Sequence, residues 1–185
     1  MVVLMRSLRV LALSAWCASV AGCIGTSPEQ AEADALGPDP SGQPNGPLHR
    51  AGFPCTRCHG DAWWQEDPPF ALAGTIYRTN DDARGQRDVE VIVRDAAGQE
   101  LIARTNQSGN FFFVEEGSVP AQGGDGSFQI PSDLTFPLRV SVRDGEHEQE
   151  MRGLIWRERS CAACHRRDGA DETSNGRIFV REVTP

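Results

Sequence analysis

Apolar and polar residues alternate along the middle of the chain, from about residue 71 to residue 155, without the period of a helix. The apolar stretches are short and rich in β-branched and aromatic residues, as β-strands are. Turn sequences rich in Gly, Asp and Asn separate them, for example at 95–98 and 106–109. The pattern predicts a mainly β fold, a single antiparallel β-sandwich of about seven strands at 71–156. The predicted strands are 72–77, 89–93, 101–105, 111–114, 128–130, 136–142 and 147–155.

Two short helical or loop segments, 49–70 and 157–185, flank the predicted sandwich, and each contains the motif C-x-x-C-H. On a short helix the two cysteines and the histidine of this motif lie on one face, because their spacing is i, i+3 and i+4. Each thiol can form a thioether with a porphyrin vinyl group, and the adjacent imidazole can bind the iron. The motifs predict two covalent haem c groups. The thioether residues are Cys55, Cys58, Cys161 and Cys164, and the proximal ligands are His59 and His165.

Other chemistry uses two cysteines at this spacing. Structural zinc sites and dithiol redox sites both contain C-x-x-C pairs. Neither needs a histidine directly after the second cysteine, yet both motifs have one in a chain with only 4 His. The histidines favour haem, while structural zinc and disulfide or dithiol chemistry remain the alternatives.

The paired motifs resemble those of multihaem c-type cytochromes, although only over these two short segments. The resemblance implies one-electron transfer with a redox partner protein rather than enzymatic catalysis. A haem peroxidase or sensor with an open distal site is a weaker alternative, because the chain offers further axial ligands. His49 is predicted to bind a haem iron, with the first haem preferred. For the second haem, Met151 is slightly preferred over His147 as the distal ligand. The competing interpretation of Met151 is that it packs in the core.

The N-terminal region has the pattern of a bacterial lipoprotein signal. Two arginines precede an apolar run that is short for a membrane span, and the run ends at 20–23 in V-A-G-C. We expect residues 1–22 to be removed and Cys23 to be lipidated. Residues 23–48 are polar and rich in Pro and Gly, and they are predicted to be a disordered tether. The protein is then anchored in the bacterial cell envelope by lipid, facing the periplasm or the cell surface.

The predicted sandwich resembles a known module at 74–76, 89–98 and 105–113. These stretches resemble the carboxypeptidase regulatory-like domain, a transthyretin-like β-sandwich. The resemblance implies a non-catalytic module for binding, spacing or support. The second function hypothesis follows from it: an envelope binding or structural module whose C-x-x-C pairs hold structural zinc.

Composition excludes several classes of function. The formal net charge is −8, so a nucleic-acid partner is not expected. All the basic residues are arginine, which excludes a lysine nucleophile or Schiff base. The chain also lacks a phosphate-binding loop and a nucleophile-elbow motif.

Overall fold

The computed structural model describes residues 28–60, 69–114, 129–131, 133–168, 170–172 and 174–180. The predicted signal and Cys23 lie outside these residues. A short helix, α1 (Pro28–Ala35), precedes the strands. The strands are β1 Phe70–Tyr77, β2 Glu90–Arg94, β3 Glu100–Arg104, β4 Asn110–Val114, β5 Gln129–Pro131, β6 Arg139–Asp144, β7 His147–Glu150, β8 Ala170–Asp171, β9 Ser174–Asn175 and β10 Ile178–Phe179.

The described strands form two four-stranded sheets and one small hairpin. The first sheet has the order β10-β1-β4-β5 and the second has the order β3-β2-β6-β7, while β8 pairs with β9. The mainly β prediction is confirmed. The second sheet is antiparallel throughout, but in the first sheet β10 pairs parallel to β1, and β5 pairs parallel to β4. Both parallel partners follow long connections, which a parallel pairing requires.

One hydrophobic cluster contains side chains from both sheets. In a strand, alternate residues point to the same side, so Leu72 and Ile76 of β1 project together, as do Val140 and Val142 of β6. These residues belong to a single buried cluster. The sheets therefore share one core, which explains the period-two alternation in the sequence. The remaining buried members are Ala71, Val89, Val91, Val93, Ala103, Phe111, Phe113 and Leu138.

Strand β1 is buried along its whole length. A second, smaller cluster lies on its other side and consists of Phe70, Ala73, Phe112 and Val114, with Cys55 packed against it. Both faces of β1 are therefore covered, and β1 is the strand around which the two flanking segments are arranged.

Part of the predicted tether, 23–48, has described structure. Ala33 of α1 is buried, and the carbonyl of Pro47 accepts hydrogen bonds from the side-chain amides of Asn106 (2.7 Å) and Asn110 (3.3 Å). These contacts attach the chain just before the first motif to the β3–β4 turn. Among the described residues, no helix has the length and hydrophobicity needed to cross a membrane.

Candidate functional site

The two C-x-x-C-H motifs have the same backbone conformation. Each forms one turn of 3₁₀ helix, at Cys55–Arg57 and Cys161–Ala163. The N–H of each motif histidine donates to the carbonyl of the motif's first cysteine, at 3.0 Å in the first motif and 2.8 Å in the second. The second cysteine donates to the same carbonyl at 3.2 Å in both. Cysteines and histidine thus lie on one turn in each motif, although the flanking sequences share nothing.

The first motif packs on the outer face of β1. The N–H of Phe70 donates to the carbonyl of His59 at 2.9 Å, and the N–H of Gly52 donates to the hydroxyl of Thr75 at 2.8 Å. Cys55 is half-buried against the cluster that contains Phe70 and Ala73. These contacts place the first cysteine of the motif beside the middle of β1.

The second motif packs on the opposite face of the same strand. The N–H of Ala73 donates to the carbonyl of Arg159 at 2.9 Å. A Cβ atom at Gly74 would lie 2.7 Å from Cβ and 2.9 Å from Sγ of Cys161, so only glycine leaves room for this cysteine. Since neighbouring residues in a strand face opposite sides, Ala73 and Gly74 hold Cys55 and Cys161 on the two faces of β1 at one level.

The two motif segments also meet directly. A Cβ atom at Gly52 would lie 2.0 Å from the hydroxyl of Tyr77 and 2.9 Å from Cβ of Arg167. Gly52 precedes the first motif, and Arg167 follows the second. Burial raises the pKa of Tyr77 to about 12, although the nearby cations Arg167 and Arg177 act in the opposite direction. The segments therefore form one continuous site around β1, which neither the spacing nor the flanks of the motifs indicated.

In the first motif, the predicted axial ligands lie close together. The ring of His59 is buried and stacks on Phe70 with a centroid separation of 4.1 Å. The ring centroid of His49 lies 6.1 Å from that of His59. At this separation the two imidazoles could hold one metal ion between them. Nδ1 of His49 contacts Gly46, which leaves Nε2 as the nitrogen available to a metal.

In the second motif, the cysteines and the histidine open onto a cavity of about 260 Å³. Nδ1 of His165 donates to the carbonyl of Gly176 at 2.9 Å, so Nε2 is again the nitrogen available to a metal. The cavity is lined by Cys161, Cys164 and His165 of the motif and by Met151 and Ile155 after β7. Apolar side chains of both sheets also line the cavity, including Val140, Val142, Phe111 and Phe179, together with the polar residues Gln149, Glu150, Glu158 and Asn175.

Two buried polar atoms in this wall have no hydrogen-bond partner among the described residues. They are the hydroxyl oxygen of Ser160 and Nε of Arg177, and both residues line the cavity. Unpartnered buried donors are costly, so such atoms indicate a bound polar group. A porphyrin has apolar faces and two carboxylates, which suit an apolar cavity with these donors, and the residues present fit the haem group. The sequence did not indicate either residue, because neither belongs to a motif.

The structure separates the two candidate distal ligands of the second motif. Met151 lies in the cavity wall, where its N–H donates to the carbonyl of Val140 at 2.9 Å. His147 is exposed and pairs with Asp144 at the β6–β7 turn, and it is not part of the cavity wall. On one continuous strand both side chains would point to the same side, but β7 ends at Glu150, and of the two residues Met151 lines the cavity.

The buried thiols are not activated. Burial raises the pKa of Cys55 to about 12. Burial, with a smaller contribution from the charge of Cys55, raises the pKa of Cys161 to about 12. Catalytic dithiols have lowered pKa values instead, so these positions suit an uncharged thioether better than a reactive thiolate.

Comparison with known proteins gave no family. No family model matches the chain, and neither the curated proteins nor the solved structures contain a significant match. Within the described part of the chain, no three or more His, Cys, Asp or Glu side chains form a group that could hold a metal ion.

Proposed function

We propose that the protein is a dihaem c-type electron carrier of the bacterial cell envelope. One observation carries this proposal: two C-x-x-C-H motifs with the same backbone lie on opposite faces of one strand, and each has a second candidate axial ligand nearby. A dithiol enzyme needs neither the histidines nor a second ligand. A zinc site needs four converging ligands, and the described residues offer no such group.

Each residue of the site has a defined role in this proposal. Cys55 and Cys58 hold the first haem by thioethers, and Cys161 and Cys164 hold the second. His59 and His165 are the proximal ligands. His49 and Met151 are the distal ligands of the first and second sites. The bound haem supplies an iron that changes oxidation state by one electron.

The surroundings of the two sites favour different potentials. His49 and His59 give the first site two imidazole ligands, whereas His165 and Met151 give the second one imidazole and one thioether. A methionine ligand raises the potential of a haem iron relative to a second histidine. The apolar cavity wall around Met151 also disfavours the more highly charged ferric state. With both haems bound, the second site would therefore have the higher potential and would hold an electron in preference to the first.

Close packing at β1 supports transfer within the protein. Ala73 and Gly74 hold the first cysteines of the two motifs on opposite faces of one strand, and Gly52 lies against Tyr77 and Arg167. The backbone between the motifs is hydrogen-bonded at Phe70 and Ala73, so it keeps the two sites in a constant arrangement.

The remainder of the chain supports and locates this site. Two sheets with one shared core are consistent with a transthyretin-like β-sandwich similar to carboxypeptidase regulatory-like domains. In this proposal the sandwich is a scaffold without catalytic residues. Cys23 carries the lipid anchor, which keeps the protein near membrane-bound redox partners.

The mass of the denatured protein tests the proposal. The chain is produced in a bacterial host that contains a haem-attachment system, and it is then unfolded and weighed. We expect the mass of the processed chain plus two haems, together with the visible spectrum of a c-type cytochrome. A colourless protein with stoichiometric zinc contradicts the proposal and favours the binding-module hypothesis.

A further inference from the structure

The loop 151–160 forms one wall of the cavity at the second motif. Met151 and Ile155 line the cavity from this loop. The backbone of Ile155 is held by two hydrogen bonds with Leu138, of 2.7 and 2.9 Å. These hydrogen bonds hold the loop in place at Ile155. At this residue the wall consists of one segment of backbone.

The outer side of the same wall is apolar and exposed. Leu154 and Trp156, the neighbours of Ile155, are 38% and 70% exposed. Ile155 forms a strand-like bridge with Leu138, so its two neighbours point away from the cavity. In the described part of the chain, Ile102 is the one other large hydrophobic residue with comparable exposure, at 37%. Because Trp156 faces away from the cavity, a group bound in the cavity would not cover its side chain.

Two arginines of the loop flank the exposed tryptophan in the sequence. Arg152 and Arg157 are both exposed, while the net charge of the whole chain is −8. The acid of the loop, Glu158, accepts a hydrogen bond from the N–H of Ser160 at 3.3 Å. Of the acids on neighbouring β7, Glu150 pairs with Arg139 at 2.5 Å. Glu148 lies 3.8 Å from Arg143 and 4.0 Å from Arg94. Glu146, in the turn before β7, is exposed.

We infer that this loop surface is the docking site for a redox partner protein that presents acidic groups around an apolar centre. Tryptophan and arginine are the residues that most often dominate binding energy at interfaces, and opposite charge on the partner increases the association rate. The inference rests on the proposed function. With haem bound, one electron would leave the reduced centre of the partner and reduce the ferric iron of the second site, and no bond would form or break.

A binding measurement with a defined probe tests the inference. The probe is an acidic flavodoxin, and its dissociation constant for the haem-loaded protein is measured by calorimetry at low and at high salt. We expect Trp156→Ala, and separately Arg152→Glu with Arg157→Glu, to weaken binding by about tenfold or more. Binding by the unchanged protein should also weaken as salt rises. The control variants are Ile102→Ala and Arg87→Glu, exposed residues outside the loop, and they should bind normally.

A second readout separates docking from haem chemistry. In stopped-flow experiments the reduced flavodoxin should reduce the loop variants more slowly, while dithionite, which needs no docking surface, should reduce them at the normal rate. Unchanged flavodoxin affinity in both loop variants overturns the inference, as does tighter binding of a basic mitochondrial cytochrome c. A dimer that Trp156→Ala converts to monomer overturns it as well, since the surface then binds a second copy. Protein that lacks covalent haem overturns the proposed function and this inference together.

Discussion

The two C-x-x-C-H segments share one backbone and differ in nearly everything around it. The first lies on the outer face of β1, where the ring of His59 stacks on Phe70 and the ring centroid of His49 lies 6.1 Å away. The second faces the core between the sheets and opens onto an apolar cavity, with Met151 in the wall. The backbone conformation follows from the motif, whereas the surroundings follow from the face of β1 on which each motif packs.

This difference shows how one attachment chemistry supports two unlike sites. In the proposed function the cysteines only hold the haem, and the distal residue and the polarity of the wall set the potential of each iron. A strand covered on both faces can thus bring two sites close together and still give each its own environment.

Removing either pair of cysteines has the largest expected effect. Cys55→Ala with Cys58→Ala should leave only the second haem, and Cys161→Ala with Cys164→Ala should leave only the first. Masses of the denatured variants should each show one haem, and redox titration should then give each potential separately. The second site should have the higher potential. Equal potentials in the two variants would contradict the difference in axial ligands.

Replacing the thioether ligand should make the two sites alike. Met151→His should lower the potential of the second iron by on the order of 0.1 V, a part of the roughly 0.8 V range that axial ligands span. The potential of the first iron should stay nearly constant. His147→Ala is the matched control, because His147 is exposed at the start of the strand that precedes Met151 and lies outside the cavity wall. If Met151→Leu changes neither spectrum nor potential, Met151 is a core residue and His147 becomes the leading candidate.

Gly74→Ala tests the packing of the second motif alone. The added methyl group would lie 2.7 Å from Cβ of Cys161, so Cys161 or β1 must move. We expect a loss of about 1–3 kcal/mol in the free energy of unfolding, measured by denaturant titration, with a spectral change confined to the second haem. Gly153→Ala is the control, since its nearest contact is the methyl carbon of Met151 at an ordinary 3.8 Å. A spectral change in both haems would show that β1 does not keep the sites separate.

Asp95→Asn should have the smallest effect of these substitutions, and it should not affect one motif site more than the other. Burial by itself raises the pKa of Asp95, but hydrogen bonds from the backbone N–H groups of Thr135 and Gln99 outweigh it and lower the pKa below its usual range. Its carboxylate accepts these bonds at 3.1 and 2.8 Å. Asparagine replaces one acceptor oxygen with a donor, so we expect a loss of roughly 1–2 kcal/mol at neutral pH.

The pH dependence of this loss follows from the lowered pKa. The contribution of Asp95 is present above the pKa of an unfolded aspartate, about 4, and is lost as pH falls through the lower folded-state pKa. As pH falls from about 5 to about 2, the free energy of unfolding of the variant should approach that of the unchanged protein. A constant difference across this window would contradict the role of the carboxylate.

Local patterns predicted much of the fold. All seven stretches predicted to be strands contain one, because short runs between turn residues favour an extended backbone without help from distant residues. The observed burial does not always alternate, since β1 and β4 are buried along their whole length. The sequence did not predict that β5 and β10 pair in parallel, since strand pairing depends on contacts between distant segments. The structure places β10 at the edge of β1 and also in the cavity wall.

By itself, the sequence determined the local shape of each motif and predicts its chemistry. The spacing of Cys55, Cys58 and His59, repeated at Cys161, Cys164 and His165, specifies one turn with cysteines and histidine together, and a turn needs no distant residue. Only the tertiary structure decided what surrounds these turns. It placed His49 beside His59, chose Met151 over His147 for the cavity wall, and brought Ser160 and Arg177 into it. Those positions depend on which face of β1 each segment covers, and packing between segments far apart in the chain decides that.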